Sequence, residues 1–387
     1  MKILAVTLDG KFSGGANRSF LMVITQLRDM YGHEIDVVVP ENGQMEEKLS
    51  QNNFKYEVVE MPLIHFNSSG SFKDILKKIY MNYLVLVHKI KACNFAKNYK
   101  NKYDLVYING NNQFFGYFLA KELNIPFVWH LRGLINKGQY YCYNQGEIYS
   151  DKNGKVIVIS NAMIELANKI LNIDINQIEM IHNGLEWKDN LVSNQDWSNG
   201  IHCILCGRIA RSKSHLEALK ALATLKNRGY KDVYLHIVGD VNDVYKPYLD
   251  ELKKFVNEND LNQNVVFEGQ IEEMSSFRCN MNIELMCSTF EPFGRVTLEG
   301  MHSGLVVIGA NTGGTLDIIK DKENGYLYQQ GNSEDLADKI EFVINNPDIA
   351  KNISKNAVEF ANTHFTMLEN VTNINNLILQ VKKNCKE

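Results

Sequence analysis

The chain has 387 residues, of which 45% are hydrophobic and 22% charged, and its formal net charge is −4. The hydrophobic content is typical of a globular protein and excludes a disordered chain. The negative net charge excludes binding to nucleic acid through an overall positive charge. The length allows two domains, each with an apolar core of its own. We therefore expect any anion-binding site to be local.

The first residues do not resemble a signal peptide, because their apolar run is short and Asp9 interrupts it. No apolar stretch is long enough to cross a membrane. The seven cysteines are odd in number and scattered, as expected for free thiols in the cytoplasm. Cys203 and Cys206 have the spacing of a zinc-binding pair, but no second pair completes such a site, and burial in a strand is favoured. We expect a cytoplasmic protein without a metal or cofactor.

Short runs rich in Val and Ile alternate with segments of helical spacing along the chain. Runs without polar alternation indicate strands covered on both faces, and their alternation with helices indicates parallel, doubly wound α/β sheets. The strands predicted in the first half are KILAVTL, EIDVVVP, YDLVYING, PFVWHLRG, KVIVISN and IEMIHNG. Those predicted in the second half are HCILCGR, VYLHIVGD, NVVFEG, NIELMCS and LVVIGAN.

The best domain boundary follows the turn at Asn183 and Gly184, because residues 187–199 are polar and their apolar residues follow neither the helical nor the strand period. This predicts one domain over residues 1–185 and another over 186–365. Residues 366–387 are expected to form an amphipathic helix that packs on a domain surface. Its apolar positions are Met367, Val371, Ile374, Ile378 and Val381.

Residues 73–102 form a basic segment with eight lysines and one acidic residue. The segment is predicted to be a helix, and two interpretations of its charge remain open. The lysines form a solvated face, or the helix lies near anionic lipid, where each lysine adds about 1 kcal/mol. The apolar positions at helical spacing are Phe72, Leu76, Ile79, Tyr83, Leu86, Val87 and Ile90.

Two turns at strand ends are candidates for anion binding. Gly14 and Gly15 come after the first strand and before a helix, where backbone N–H groups can approach a ligand, although such turns often need glycine for geometry alone. The pattern is not G-x-G-x-x-G, which disfavours a nicotinamide or flavin cofactor. Arg208 and Lys213 lie just before a helix, an arrangement that suits a diphosphate. The alternative is that both are solvated surface residues.

The stretch TFEPFGRVTLEG, residues 289–300, predicts a helix that begins near Gly294 or Arg295, because Pro292 cannot lie in a helix interior. Glu299 is then about 7.5 Å along the helix axis, at about 1.5 Å per residue. Glu291 and Glu299 could therefore hold the hydroxyls at the two ends of a diphosphate-linked donor. The alternative is two exposed glutamates at a helix start. The amides expected at the helix start belong to Phe293, Gly294, Arg295 and Val296.

FEPFGRVTLEG is similar to the signature of retaining glycosyltransferases of family four, with a donor motif like that of glycogen synthases. The resemblance continues through GRIARSK, HIVGD, VVFEG and GANTGGTLDII. In the first half it includes the looser motifs GGANRS, WHLRG, VIVISNAM and IHNGLE. It implies the GT-B fold, with two Rossmann-like domains facing across a cleft and a last helix that crosses back to the first domain.

The resemblance also implies roles for individual residues. Arg208 and Lys213 would neutralise the diphosphate, Glu291 would hold the donor sugar, and Glu299 would hold the ribose. His130 would face the sugar near the anomeric carbon, although a histidine at a strand end is often a packing residue. Gly15 would approach the donor phosphates or the acceptor, and the base would be read by the backbone at Gly269, Gln270 and Ile271.

Three positions depart from the family pattern and bear on donor choice more than on activity. Ser214 replaces the usual glycine, Asp317 a glutamate and Gly300 an alanine. Four tyrosines in residues 139–149 could stack on sugar rings or lipid chains, or could equally be packed under their loop.

These observations and the resemblance predict a retaining, metal-independent hexosyltransferase whose substrate is a sugar nucleotide. We expect a UDP-sugar, because that donor is commonest among similar enzymes. The acceptor would be a saccharide or lipid-linked saccharide in cell-surface polysaccharide synthesis, at the inner face of the membrane, with peripheral contact through residues 73–102. Alternatives are a hydrolysing sugar-nucleotide epimerase and a non-catalytic sugar-nucleotide-binding partner of another transferase. No Asp-x-Asp triplet is present to hold a metal for the departing diphosphate.

Overall fold

The computed structural model describes residues 1–12, 15–68, 74–187, 192–193 and 197–385. The chain divides into two compact units: unit 1 contains Met1–Gly184 and Met367–Glu387, and unit 2 contains Leu185–Thr366. Gly14, Phe72 and Lys73, which the sequence analysis singled out, lie outside the described residues. Within the described ranges, no helix is both long enough and apolar enough to cross a membrane.

Unit 1 is built on a parallel sheet that has seven strands among the described residues, in the order β3-β2-β1-β4-β5-β6-β7. The order reverses direction between β1 and β4, which is the switch point of a doubly wound sheet. Ile3 of β1 pairs with Ile35 of β2 on one side and with Leu105 of β4 on the other. The strands are β1 Lys2–Val6, β2 Glu34–Val39, β3 Lys55–Val58, β4 Leu105–Asn109, β5 Phe127–Leu131, β6 Gly154–Val158 and β7 Ile178–Met180.

The helices of unit 1 cover both faces of this sheet, as the uninterrupted apolar strands require. The central strands β4 and β5 are buried along their whole length. The helices are α1 Gly15–Tyr31, α2 Gln44–Gln51, α3 Asp74–Ala96, α4 Phe114–Leu123, α5 Gln145–Tyr149, α6 Asn161–Leu171 and, from the end of the chain, α14 Met367–Asn384.

The last helix, α14, returns to unit 1 and packs against α1 and β5. Its polar contacts include two with residues at the end of α1 and just after it: the Tyr31 hydroxyl lies 2.9 Å from Thr372 Oγ1, and His33 Nε2 lies 2.8 Å from Asn375 Oδ1. Its buried face joins the apolar core of unit 1. All five apolar positions predicted from the sequence are buried there: Met367, Val371, Ile374, Ile378 and Val381.

Unit 2 repeats the architecture with a parallel sheet in the order β10-β9-β8-β11-β12-β13, six strands within the described part of the chain. Its switch point lies between β8 and β11, which pair through Cys203 and Ile283. The strands are β8 Ile201–Cys206, β9 Val233–Val238, β10 Val265–Gly269, β11 Ile283–Met286, β12 Val306–Ala310 and β13 Tyr326–Tyr328.

The helices of unit 2 include α10, which begins at Arg295 as the sequence predicts. Gly294 caps this helix with φ +106°, a backbone conformation that favours glycine. The helices are α7 His215–Asn227, α8 Lys246–Glu258, α9 Met274–Arg278, α10 Arg295–His302, α11 Thr315–Ile318, α12 Ser333–Asn345 and α13 Pro347–Thr363.

All eleven predicted strands are present, whereas the edge strands β3 and β13 were not predicted. Residues of β3 are largely exposed, and β13 has only three residues, so neither forms a long apolar run. Cys203 and Cys206 are buried in β8. Of the four tyrosines in residues 139–149, Tyr141 and Tyr149 are packed in the core of unit 1, whereas Tyr143 is 83% exposed.

The basic helix α3 differs from an ordinary surface helix. Its buried face is made of residues such as Met81, Leu84 and Val85, which pack towards α4. Leu76 and Ile79, at the apolar positions noted in the sequence, face outward and are 75% and 61% exposed. The helix is therefore apolar on two sides.

Truncating the buried face of α14 should destabilise unit 1. Ile378 is fully buried and Leu379 is 48% exposed on the same helix. We expect Ile378→Ala to lower the free energy of unfolding by about 2 to 5 kcal/mol, and Leu379→Ala to change it by less than about 0.5 kcal/mol. Urea unfolding monitored by circular dichroism measures both. Equal effects of the two variants would contradict the packing of α14 described above.

Candidate active site

Three loops of unit 2 meet at the carboxyl edge of its sheet, where doubly wound folds bind ligands. Lys213 ends a short 3-10 turn, Arg211–Lys213, after β8. Glu291 lies in the loop between β11 and α10, and Gly313 and Gly314 follow β12. Because β8, β11 and β12 are neighbours in the sheet, their loops leave side by side.

An ion pair joins the first two loops. Lys213 Nζ lies 2.6 Å from Glu291 Oε2, and the Ser288 hydroxyl donates to the same oxygen at 3.1 Å. The two charged side chains are 26% and 17% exposed, so the pair is partly desolvated but still accessible. The Lys213 stem packs over Gly207, whose ideal Cβ position is 3.4 Å from Lys213 Cδ. Arg208 follows Gly207 directly and is exposed.

Backbone contacts fix the position of Glu291. Thr289 donates its N–H to the carbonyl of Ser212 at 2.9 Å, which ties this loop to the 3-10 turn. Gly314 donates its N–H to the Glu291 carbonyl at 2.7 Å. A Cβ at Gly313 would lie 2.9 Å from the Glu291 nitrogen, and a Cβ at Gly314 would lie 2.6 Å from the Phe293 oxygen. Only glycines allow the two loops to come this close.

The N-terminus of α10 follows directly. Phe293 is 3% exposed, and its ring packs edge-on against Phe365 with centroids 5.6 Å apart. The first amides of any helix lack acceptors within the helix, and the helix dipole favours an anion there. Arg295 and Val296, the first two residues of α10, are half-buried. The turn between Glu291 and α10 is thus a packed segment that carries backbone donors.

Glu299, one turn into α10, is held by two guanidinium groups. Arg295 Nε lies 3.5 Å from Glu299 Oε1, and Arg278 Nη2 lies 3.2 Å from Glu299 Oε2. Arg278 also bonds Glu284 on β11, with Nε 2.9 Å from Oε2, and both of these residues are buried. Burial opposes the charge of Arg278, but the carboxylates of Glu284 and Glu299 raise its pKa above the ordinary value. Burial raises the pKa of Glu284, and Arg278 offsets part of that rise.

The predicted base-reading residues lie at the end of β10. Gly269 has φ +69°, and its carbonyl accepts the N–H of Gly239 at 2.8 Å. Gln270 is exposed. Ile271 and Val296 both pack against a small apolar cluster of unit 2. The loop after β10 and the start of α10 therefore contact the same part of the core.

The predicted residues of unit 1 lie at the carboxyl edge of its own sheet. His130 is fully buried at the end of β5, with Nδ1 2.7 Å from the Tyr107 hydroxyl, and no partner of its Nε2 is found among the described residues. Burial and the Arg132 guanidinium lower the pKa of His130 well below its ordinary value, so the ring is neutral at pH 7. Gly15 is the first residue of α1, and Asn17 anchors the preceding loop through Asp9 Oδ1 at 2.7 Å.

Unit 2 therefore brings Lys213 into contact with Glu291, and Glu299 into contact with Arg295, whereas His130 and Gly15 belong to unit 1. Sequence reasoning assigned no supporting role to five residues on which the site depends: Ser288, Gly313, Gly314, Arg278 and Glu284. The glutamate in the apolar run NIELMCS was a visible signal, because an ionisable residue rarely lies in a buried strand without a partner. Ser214 has φ +52°, which gives a physical reason for the glycine that the family pattern expects there.

Two family models match the chain, one in each half. Residues 13–186 match Glycosyltransferase Family 4, and residues 196–360 match Glycosyl transferases group 1. The chain belongs to the family-4-like glycosyltransferases. Its two Rossmann-like units are those of the GT-B fold.

Relatives of this glycosyltransferase are distant. An uncharacterized glycosyltransferase of Methanocaldococcus jannaschii is 28% identical over 254 residues, 64% of this chain and 66% of that protein. The capsular polysaccharide biosynthesis glycosyltransferase CapM of Staphylococcus aureus is 25% identical over 241 residues, 59% of this chain and 60% of CapM. The matched stretches thus span less than two thirds of the lengths of these relatives.

Solved structures share the fold over nearly the whole length of this glycosyltransferase. Anabaena Alr3699/HepE, crystallised in complex with UDP, superposes with a TM-score of 0.80 at 23% identity over 98% of this chain and 100% of that one. Sucrose-phosphate synthase from Thermosynechococcus elongatus superposes with a TM-score of 0.73 at 17% identity, over 99% and 100% of the two chains.

The close approach of the glycine loop to Glu291 can be tested by adding one methyl group. Gly313 has φ +57° and faces the Glu291 backbone, whereas Gly331 has φ +82° and nothing within 4 Å of its ideal Cβ. Gly331→Ala should cost only the left-handed strain, about 1 to 2 kcal/mol. Gly313→Ala should add an overpacking cost of about 1 to 3 kcal/mol. Urea unfolding measures both, and equal destabilisation would contradict the described contact.

Proposed function

We propose that this glycosyltransferase moves a sugar from a nucleotide diphosphate donor, a UDP-sugar, to a saccharide or lipid-linked saccharide acceptor with retention of anomeric configuration. The observation that carries the proposal is the accessible Lys213–Glu291 ion pair beside the N-terminus of α10. The Anabaena structures with UDP, and with UDP and glucose, add support for the choice of UDP.

In this proposal the protein itself neutralises the departing diphosphate, without a divalent ion. A lysine ammonium has three donors, so Lys213 can keep one on Glu291 and direct the others to phosphate oxygens. Arg208, exposed next to the glycine under Lys213, supplies a second cation. The amides from Phe293 to Val296 supply further dipoles. Each such preorganised donor contributes about 10² to 10³ in rate.

Glu291 positions the donor sugar in this mechanism and is not a nucleophile. Its carboxylate accepts hydrogen bonds from sugar hydroxyls while Lys213 and Ser288 hold its orientation. The bond from the anomeric carbon to the phosphate oxygen breaks, and the bond to the acceptor oxygen forms on the same face. The acceptor proton passes to the departing phosphate oxygen, so charge and atoms balance without an enzyme-bound intermediate.

The remaining residues bind the ends of the donor and the acceptor. Glu299 accepts the ribose hydroxyls, and the backbone from Gly269 to Ile271 contacts the base. In unit 1, the predicted contacts of His130 with the sugar and of Gly15 with the donor phosphates or the acceptor stay predictions. The depressed pKa of His130 would let its ring act as a neutral hydrogen-bonding group.

The test of this function is the loss of turnover on removing either member of the ion pair. Lys213→Ala and Glu291→Ala should each lower the acceptor-dependent release of nucleoside diphosphate by about 10² to 10³. Lys220→Ala, which removes an exposed lysine of α7, is the matched control and should leave release unchanged. Product NMR should show the donor's anomeric configuration, and turnover should persist in a chelator.

Wild-type turnover in both Lys213→Ala and Glu291→Ala would contradict the proposal. Release of nucleotide without any acceptor, accompanied by an epimerised sugar, would indicate a hydrolysing epimerase. Nucleotide-sugar binding without turnover against any acceptor would indicate a binding partner of another transferase.

We also propose that α3 docks this glycosyltransferase peripherally on the inner, anionic face of a membrane, where a lipid-linked acceptor for surface polysaccharide synthesis would be met. The outward side chains of α3 form one stripe at helical spacing, and each is 47% to 75% exposed. We call it the α3 stripe. Its members are Ile75, Leu76, Ile79, Tyr80, Tyr83, Leu86 and Ile90.

Charge complementarity favours a lipid surface as the partner. Exposed Lys77 and Lys89 belong to the same helix as the stripe, and the segment 73–102 has eight lysines and one acidic residue. Tyrosines suit the boundary between headgroups and acyl chains, because each has an apolar ring and a polar tip. Tyr143 extends the surface, since its N–H donates to Asn82 of α3 at 3.1 Å. An amphipathic helix with lysines beside an apolar face is typical of interfacial binding.

Flotation with vesicles tests the α3 stripe. The wild type should float with phosphatidylglycerol-containing vesicles and much less with phosphatidylcholine alone. Ile79→Ser with Tyr83→Ser should weaken binding at least about tenfold, because each side chain contributes about 1.5 to 3 kcal/mol on burial. Leu379→Ser, at an exposed position of α14, is the control and should bind as the wild type does. Equal, salt-independent recovery with both vesicle types would contradict the proposal.

A further inference from the structure

A buried chain of charges lies behind Glu299. Glu284, in the middle of β11, is fully buried, and Arg278, the last residue of α9, is 3% exposed. Arg278 bridges the two carboxylates, with Nε 2.9 Å from Glu284 Oε2 and Nη2 3.2 Å from Glu299 Oε2. Burying such a pair is costly, and an apolar pair of similar volume is often as stable. Stability alone therefore does not account for the pair.

The backbone of α10 is shaped around this pair. Gly300 faces Glu284 so closely that a Cβ there would lie 2.8 Å from both Glu284 Cβ and Cγ. The family pattern places alanine at this position, so glycine here accompanies the buried glutamate of this chain. The close approach brings Glu299, the preceding residue, within reach of Arg278.

The result is a carboxylate whose two oxygens are held separately. Arg278 contacts Oε2 and Arg295 contacts Oε1, while 28% of the Glu299 side chain remains accessible. Arg278 is itself fixed by Glu284, whereas the Arg295 side chain is 31% exposed and has more freedom. The orientation of Glu299 thus depends mainly on the buried pair. A carboxylate held in this way can accept two adjacent hydroxyls without first losing rotamer freedom.

We propose that Arg278 and Glu284 are positioning residues that orient Glu299 toward the 2′- and 3′-hydroxyls of the donor ribose, and so set the preference for a ribonucleotide over a 2′-deoxyribonucleotide. This rests on the proposed role of Glu299 and goes beyond it, because neither residue touches the donor. A site built to bond a hydroxyl discriminates strongly against a ligand that lacks it.

The test compares the binding of UDP and 2′-deoxy-UDP to the full chain by isothermal titration calorimetry. The informative variant is Arg278→Leu with Glu284→Leu, which removes both charges together and leaves no unpaired buried charge. We expect its affinity for UDP to fall at least about tenfold and its affinity for 2′-deoxy-UDP, which offers Glu299 only the 3′-hydroxyl, to fall by a clearly smaller factor. Its melting temperature should be no lower than that of the wild type. If the pair had only a structural role, its removal would lower the affinities for UDP and for 2′-deoxy-UDP by the same factor.

Arg278→Lys serves as a second variant if the double variant does not fold. The lysine keeps the positive charge but cannot bond both carboxylates with a fixed, planar group. The preference for UDP over 2′-deoxy-UDP should therefore decrease in this variant too. Glu299→Ala distinguishes the ribose-binding role of Glu299 from the positioning role of Arg278 and Glu284. If Glu299→Ala loses the preference while the Arg278 and Glu284 variants keep it, the positioning role is wrong. If Glu299→Ala keeps it, the ribose-binding role of Glu299 is wrong, and the positioning role with it.

Discussion

The candidate active site of unit 2 depends on one constraint: loops from three neighbouring parallel strands must meet within hydrogen-bonding distance. Gly314, after β12, donates its N–H to the Glu291 carbonyl, and Thr289 donates its N–H to the Ser212 carbonyl. Because that backbone is fixed, Lys213 can pair with the Glu291 carboxylate at 2.6 Å, and α10 can begin directly after it. The cation, the carboxylate and the helix amides are thus placed by backbone contacts.

The site uses charges in two different environments. The Lys213–Glu291 pair is partly accessible, so a phosphate can compete for the ammonium at moderate cost. The Arg278–Glu284 pair is withdrawn from solvent, where breaking it would leave an uncompensated charge. The first arrangement suits residues that exchange partners with a substrate, and the second suits residues that keep one orientation. The proposed release of a diphosphate would use both kinds of residue.

Much of the fold was predictable because the physical signals are local. Unbroken Val and Ile runs mark the central strands, and Pro292 with Gly294 marks the start of α10. The edge strand β3 was missed because its residues are largely exposed. The orientation of α3 could not be predicted, since the helix has apolar residues on two faces and periodicity does not say which face packs inward.

The candidate site was predictable only in part, for a related reason. Lys213 and Glu291 belong to recognisable motifs, so their proximity followed from the family resemblance. The contact of Arg278 with Glu299 joins residues of different elements, α9 and α10, and no local pattern specifies it. Likewise, the glycines at 313 and 314 were visible, but their purpose emerges only from the Glu291 backbone beside them.

The central claim is that side chains and helix amides of unit 2 bind the donor diphosphate without a divalent ion. The most direct measurement is the affinity of the wild type and Lys213→Ala for UDP and for uridine, by calorimetry in the presence of a chelator. The account predicts that the wild type binds UDP under these conditions. It also predicts that Lys213→Ala lowers the affinity for UDP at least about tenfold and leaves the affinity for uridine unchanged. Binding of UDP that requires a divalent ion, or an equal loss for both ligands, would contradict it.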